Sequence, residues 1–291
     1  MNTALLLGAY GLLGRYVDAE LGAAGFRVAR QSRASHEGAV TFDPGEPAAL
    51  AAQLAAIRPD VIVNTIALTN VDYCETHVNE AYRINTRVAE TLADWVREHR
   101  AGCHVIQIST DQLYAQPGPQ AEAAVDLLNV YSLTKYAAEI ALRSVPSHTV
   151  LRTNFYGRSR TPGRASFSDW IHRALLEETP IRLAVDIQFN PLSLPTLARY
   201  IAAVATRRTP GVFNVGARGS LSKHGFGLLL ARELSLATRC VGACSAAELA
   251  FRVPRPLDMR MDVSRFEAEY GPMPELEADL ARTALAYTGA T

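Results

Sequence analysis

Lysine is almost absent from this chain. Of 29 basic residues only Lys135 and Lys223 are lysines, and the other 27 are arginines. Cysteine is scarce as well. The four present (Cys74, Cys103, Cys240, Cys244) have no paired zinc-ligand spacing, so they read as small core residues and reduced thiols of a cytoplasmic protein. No charge of either sign is in excess, since 29 acidic residues balance the basic ones and the arginines are scattered. That balance excludes a polyanion-binding surface, and nucleic acid with it. No apolar stretch is long enough to span a bilayer, and the N-terminus carries no basic leader region. A soluble cytoplasmic protein is expected, with no membrane partner and no visible metal site. What is abundant is apolar sequence, 48% against 20% charged, enough for a sizeable core in 291 residues.

Short apolar runs alternate with amphipathic segments over the first half. Strands are expected at 4–7, 26–29, 39–42, 61–66, 104–109 and 149–152, and helices at 12–24, 47–57, 79–100 and 131–143. This alternation predicts an α/β fold, a doubly wound parallel sheet of Rossmann type with right-handed crossovers. After residue 154 the beat stops. A Gly-, Pro- and Arg-rich loop at 157–164 precedes helices at 167–176, 192–206, 225–236 and 276–287, with one strand at 211–215. The expected organisation is a dinucleotide-binding domain over 1–153, rejoined by a returning segment near 185–208. A smaller, irregular, interleaved C-terminal substrate lobe takes 154–291.

Three features carry chemistry. Gly8-Ala9-Tyr10-Gly11-Leu12-Leu13-Gly14 follows the first strand and opens the first helix. Glycines there permit a tight turn, backbone approach to a diphosphate, and close helix–strand packing. The end of the second strand reads Arg30-Gln31-Ser32-Arg33, with no carboxylate for a ribose 2′-hydroxyl. Arg30 or Arg33, with Ser32, suits a 2′-phosphate, so NADPH is expected over NADH. Finally, Tyr131 and Lys135 stand at i and i+4 on one helix face, where an ammonium favours the phenolate and makes the phenol a proton donor. A chain that writes nearly every cation as arginine keeps a lysine here.

With these features, the chain resembles the extended short-chain dehydrogenases/reductases, and within them the dTDP-4-dehydrorhamnose reductase branch. Pro59–Asn64 leading into Ala67, Thr69, Val71-Asp72 and Glu75 is similar to that branch. So are Ala81–Asn85, Ile108–Asp111, Leu151–Thr153, Arg255-Pro256 and Met261–Ser264. The resemblance implies reduction of a 4-keto-6-deoxy nucleotide sugar, with Thr110, Tyr131 and Lys135 catalytic. It implies cofactor contacts at Gly8, Tyr10, Gly11, Leu12, Leu13, Gly14, Arg30, Ser32, Arg33, Asp43, Ile66, Ala67, Ser109, Tyr131, Lys135 and Thr153. Substrate contacts fall to Thr69, Val71, Thr110, Asp111, Asn154, Phe155 and Arg255, and a homodimer is a family expectation. Alternation along the fifth strand lets only one of Ser109 and Thr110 face the site readily, and the resemblance selects Thr110. Asn85 orders either its helix or a water.

The departures are Tyr10 for a small residue, Gln112 for a tyrosine, Ser132 for a glycine, and a short Asn154–Gly157 stretch. An acidic residue is also missing near Leu194-Pro195-Thr196. Gln112 argues against a 4,6-dehydratase, because it cannot ionise to serve elimination. An epimerase with tightly held NAD stays open, as does a non-catalytic nucleotide-binding subunit like the regulatory subunit of methionine adenosyltransferase.

Overall fold

The computed structural model describes residues 1–287. Strands β1 (Thr3–Leu7), β2 (Arg27–Ser32), β3 (Ala39–Thr41), β4 (Val61–Asn64), β5 (His104–Ile108) and β6 (His148–Thr153) carry the main sheet. Shorter strands follow as β7 (Phe155–Tyr156), β8 (Ile181–Ala184), β9 (Gln188–Phe189) and β10 (Leu192–Ser193). The last three are β11 (Gly211–Val215), β12 (Leu221–Ser222) and β13 (Val241–Cys244). The large sheet has the order β11-β6-β5-β4-β1-β2-β3, and its pairings from β6 to β3 are parallel. Strand order reverses between β1 and β4, the point at which open α/β sheets bind ligands beyond the carboxyl ends of their strands. The expected Rossmann-type doubly wound sheet is therefore present.

Around it the helices are α1 (Gly14–Ala23), α2 (Pro47–Ile57), α3 (Val71–Thr76), α4 (Val78–Tyr82), α5 (Val88–His99) and α6 (Val130–Leu142). Further on come α7 (Phe167–Glu177), α8 (Leu194–Arg207), α9 (Lys223–Glu233), α10 (Ser264–Tyr270) and α11 (Leu276–Ala284). No helix among the described residues is long and apolar enough to cross a membrane.

The sheet elements follow from the sequence. β1 is Thr-Ala-Leu-Leu-Leu, buried on both faces as a central parallel strand must be. α2 starts with Pro47 in its first turn and stops at Arg58, which adopts a left-handed conformation. α5 turns Val88, Leu92, Trp95 and Val96 inward and Asp94 and Arg97 outward. These residues join Leu5, Leu7, Leu50, Leu54, Ile62, Val105, Ala138 and Leu142 in one core, where each fully buried Leu or Val contributes about 1.5–3 kcal/mol.

The chain divides into two compact units. The first comprises Met1–Thr110, Asn129–Arg152 and Ala198–Phe213. The second comprises Asp111–Leu128, Thr153–Leu197 and the described residues from Asn214 onward. Within the second unit β7 and β10 pair in parallel, as do β8 and β13, while β9 and β12 are antiparallel. Its core centres on Phe226, whose ring meets Tyr156 edge-on at 5.0 Å and lies 5.5 Å from Phe189 and 5.7 Å from Phe167. Buried asparagines stitch its irregular backbone. Asn190 bonds the carbonyls of Ala217 and Met261 and accepts from the Met261 amide, and Asn214 accepts from the Tyr114 hydroxyl at 2.6 Å. Asp279 accepts from Tyr156, Ser193 and Thr196.

Several elements differ from the sequence expectation. The single helix expected over 79–100 is α4, a π-helical segment over Arg83–Arg87, and α5. β2 runs to Ser32 rather than ending at residue 29, because Gln31 is buried with partners: its side chain accepts from the Gly8 amide and donates to the Phe42 carbonyl. β8, β13, α3 and α10 were not expected at all. Ile-Arg-Leu-Ala and Val-Gly-Ala-Cys are too short, and one holds a charge and the other a glycine, to announce strands.

Candidate active site

Beyond the carboxyl end of β1 the backbone reverses at Gly8, whose φ is +79°. A methyl group there would sit 2.7 Å from the Thr65 hydroxyl, and one on Gly14 would sit 2.1 Å from the Gly8 carbonyl oxygen. Both glycines are therefore required by packing. Gly11 differs. Its amide donates to Gly8 O at 2.9 Å, and an added Cβ would meet only that oxygen, at 3.2 Å. Among the described residues no protein acceptor takes the Leu12 or Leu13 amide, just ahead of α1. Orphan amides at a helix start form an anion site, so the turn fits a dinucleotide's diphosphate. Thr65 braces it by donating to Leu7 O at 2.7 Å. Ile66 and Ala67 continue from β4 and are half-buried.

Tyr10 lies flat on His36, with centroids 3.9 Å apart, and the Arg15 guanidinium stands 5.3 Å from its ring centre. Arg30, at the end of β2, is turned to Asp18, its Nε lying 2.8 Å from both carboxylate oxygens. Ser32 accepts from the Ala34 amide, and Arg33 is exposed. Asp43 bonds Arg83 at 3.0 Å and the Gly45 amide at 2.9 Å. Its carboxyl is lowered overall: burial works to raise it, but Arg83 and that amide outweigh burial.

The other focus of the first unit joins β5 to α6. Asn129 caps α6 by accepting from the Ser132 amide, while Ser132 Oγ accepts from the Asn129 amide. Ser132, a departure from the family pattern, thus completes a capping box. One turn apart on this helix lie Tyr131 and Lys135, 6% and 2% exposed. The Lys135 ammonium donates to Ile108 O at 2.7 Å, at the end of the strand that leads into Ser109 and Thr110. Burial pushes it down to about 8, against the opposing pull of Glu139.

Glu139 was missed in the sequence, although it stands one turn beyond Lys135. Its carboxylate takes the Ser109 hydroxyl at 2.5 Å and the Arg152 guanidinium at 2.6 Å, all three groups being buried. Ser109 therefore faces this ion pair. Asn85 was left between two roles, and it acts on backbone: its Oδ1 accepts from the Leu68 amide, and its Nδ2 donates to Leu68 O and to the Thr134 hydroxyl. It sits in the π-helical segment, a device that often marks functional positions. An asparagine inside a helical pattern was the only sequence cue. Nearby, Thr69 is exposed, and Val71 is buried at the start of α3.

The second unit holds the remaining residues. Asp111, 1% exposed, accepts from Asn154 Nδ2 at 2.6 Å. Phe155 is half-buried in β7. Thr153 donates to Val215 O, and the Arg255 guanidinium lies 4.5 Å from the Phe251 ring centre.

The sheet order and the glycine turn at its switch point are those of a dinucleotide-binding fold, and the family match makes the chain an extended short-chain dehydrogenase/reductase, an NAD(P)-dependent oxidoreductase. Within that class the chain belongs to the family described as RmlD substrate binding domain, which matches residues 1–288. It is 26% identical to dTDP-4-dehydrorhamnose reductase of Salmonella typhimurium over 280 residues, 91% of each chain. A probable dTDP-4,6-dihydroxy-2-methyloxan-3-one 4-ketoreductase of Streptomyces antibioticus is 31% identical over 223 residues, 72% of this chain and 69% of that protein. The structure of dTDP-4-dehydrorhamnose reductase from Bacillus anthracis in complex with NADP has the same fold. Its TM-score is 0.88 over 98% of this chain and 99% of that one, at 22% identity.

Proposed function

We propose that this protein reduces the 4-keto group of a 4-keto-6-deoxy nucleotide sugar with NADPH, using Tyr131 as proton donor. The observation that carries the reading is Lys135, a buried ammonium one helical turn from Tyr131 and tied to the end of β5 by its bond to Ile108 O. The nicotinamide cofactor, when bound, supplies the hydride. The turn from Gly8 to Gly14 and the Leu12 and Leu13 amides would hold its diphosphate, and Lys135 would bind its nicotinamide ribose. Tyr131 gives its proton to the ketone oxygen, and the charge on Lys135 stabilises the phenolate left behind. Thr110 hydrogen-bonds the same oxygen. Ser109 is the weaker candidate for that task because its hydroxyl is engaged by Glu139.

The NADPH preference is supported by the absence of a carboxylate from the end of β2. Arg30 is held by Asp18, so the 2′-phosphate role falls to Arg33 and Ser32. Gln112 in place of an ionisable residue favours reduction over dehydration.

The test is loss of NADPH absorbance with dTDP-4-dehydrorhamnose. Tyr131→Phe should fold normally and lose at least about two orders of magnitude in kcat. A variant as fast as the wild type removes Tyr131 from the mechanism. Equal efficiencies with NADH and NADPH remove the cofactor preference.

A further inference from the structure

The buried ion pair behind Lys135 has no task in the chemistry above. Glu139 lies in the last turn of α6, where the helix dipole favours a cation over a carboxylate. It is nevertheless 2% exposed and bonded on both oxygens. Arg152 donates to it from Nη2 at 2.6 Å and from Nε at 3.1 and 3.2 Å, and the Ser109 hydroxyl donates at 2.5 Å. A buried pair of this kind is often no more stabilising than apolar residues of the same volume, so stability alone gives no reason for it.

Its position does. Lys135 and Glu139 stand at i and i+4 on α6 and share one face. Their partners are consecutive residues. Lys135 donates to Ile108 O at 2.7 Å, and Glu139 takes the hydroxyl of Ser109. The Ile108–Ser109 peptide is thus held at its carbonyl by the lysine and through the Ser109 side chain by the glutamate. Its N–H donates to Leu151 O at 2.7 Å, and the next residue, Arg152, closes the ring back to Glu139. Every member belongs to the first compact unit. A lysine with one bond pivots on a flexible four-carbon stem. A second anchor one helical turn away fixes the carbonyl it must reach. Glu139 also favours the charged lysine against burial, which pushes that ammonium down to about 8. The charged groups meeting this face of α6 are Arg152 from β6 and, on the helix itself, Lys135 and Glu139. β5 contributes the neutral Ser109, the π-helical segment contributes neutral Asn85 and Thr86 at Thr134, and Glu75 of α3 meets the helix start at the Val130 amide.

Building on the reading under Proposed function, we propose that Glu139 is a positioning residue, which through Ser109 and Arg152 fixes the strand-end peptide that receives Lys135 and so sets the lysine beside Tyr131. Glu139 acts through these groups and not on the substrate.

The chain's two lysines make a specific readout possible. In protein with isotope-labelled lysine side chains, Lys135→Met identifies the Lys135 signal by NMR. Its titration midpoint should fall by about one pH unit in Glu139→Gln, which removes the anion that favours the ammonium, and should stay in Ser109→Ala, which keeps the ion pair. With dTDP-4-dehydrorhamnose and NADPH, kcat should fall about tenfold in Ser109→Ala and about thirtyfold in Glu139→Gln, with KM within about threefold in both. The basic limb of the kcat profile should move with the lysine midpoint in Glu139→Gln alone, a shift that loose packing does not produce. The double variant should lose no more than Glu139→Gln, because Ser109 acts through Glu139. A Lys135 midpoint unmoved in Glu139→Gln, a kcat within about twofold of wild type in Ser109→Ala, or losses that multiply in the double variant overturn the proposal and leave the reductase reading intact. If Glu139→Gln does not fold, Glu139→Gln with Arg152→Met, which strands no charge, carries the same test. A wild type that consumes no NADPH with this sugar overturns the reductase reading, and the lysine titration still decides whether Glu139 governs Lys135.

Discussion

The two lysines of this chain form a natural pair for comparison. Both ammonium groups are pushed by burial to about 8, and each has one carboxylate opposing the shift, Glu139 for Lys135 and Asp111 for Lys223. They differ in what receives their protons. Lys135 donates to a fixed carbonyl, Ile108 O, inside a network whose carboxylate also holds Arg152 and Ser109. Lys223 rests on two aromatic rings and has no protein acceptor among the described residues. An ammonium with an acceptor is positioned before any ligand arrives. One without an acceptor has its remaining donors available to whatever enters. A similar electrostatic cost is thus met by a hydrogen bond in one place and by aromatic rings in the other.

The comparison breaks most visibly in turnover. Lys135→Met should lower kcat by about 10²–10³-fold, within the range of positioned acid–base groups, whereas Lys223→Met should leave kcat within about threefold. Equal effects of the two substitutions on kcat would erase the distinction. A smaller but still large effect concerns the network around Lys135. Arg152→Met strands the Glu139 carboxylate in the core and should destabilise by about 3–5 kcal/mol in denaturant unfolding, whereas changing both partners to apolar residues should be far milder. If the single and double variants are equally unstable, the pair is not coupled.

Next in size is the loop anchor. Asn85→Ala removes both bonds to the Leu68 backbone and should cost about 1–3 kcal/mol, with faster amide exchange at Leu68 as the local sign. The smallest effect is a pH dependence. With the folded Lys135 near 8 and the unfolded chain near ~10.4, the unfolded state binds more protons between those values. The burial penalty on Lys135 is therefore complete below pH ~8 and fades as pH rises to ~10.4. The buried thiols Cys74 and Cys103, raised to about 11 and about 12, act in the opposite sense above their unfolded value, so wild-type stability alone is ambiguous. The difference between Lys135→Met and wild type isolates the lysine. The variant should be the more stable protein near pH 7, with its advantage shrinking toward pH 10. A constant gap would contradict the assignment.

The sheet was legible because its strands are buried on both faces and read as unbroken apolar runs, as β1 and β4 do. The glycine turn was legible because a left-handed Gly8 and a crowded Gly14 leave no alternative residue. Lys135 stood out through the rarity of lysine together with its place one helical turn after Tyr131. What escaped was every feature fixed by a partner distant in sequence. The resemblance had already chosen Thr110 over Ser109, but the ion pair that engages the Ser109 hydroxyl depends on Glu139, thirty residues on. Arg30 and Arg33 read as equal alternatives for a phosphate, and only the placing of Asp18 beside Arg30 separates them. Lys223 could be counted but not interpreted before Phe167 and Phe189 were set beneath it. The second unit was least readable because asparagines and Asp279 hold its backbone where hydrophobic periodicity would otherwise have announced it.

The wide turn at Arg83–Arg87 has a consequence for the whole of α5. One surplus residue in a helical turn rotates everything after it by about 100° about the axis. Asn85 can therefore address the strand-end loop while Val88, Leu92 and Val96 still fall toward the sheet. An apolar scan from residue 78 to 99 should trace two stripes out of phase, and deleting one residue at the junction would merge them, leaving either the loop or the core without its side chains.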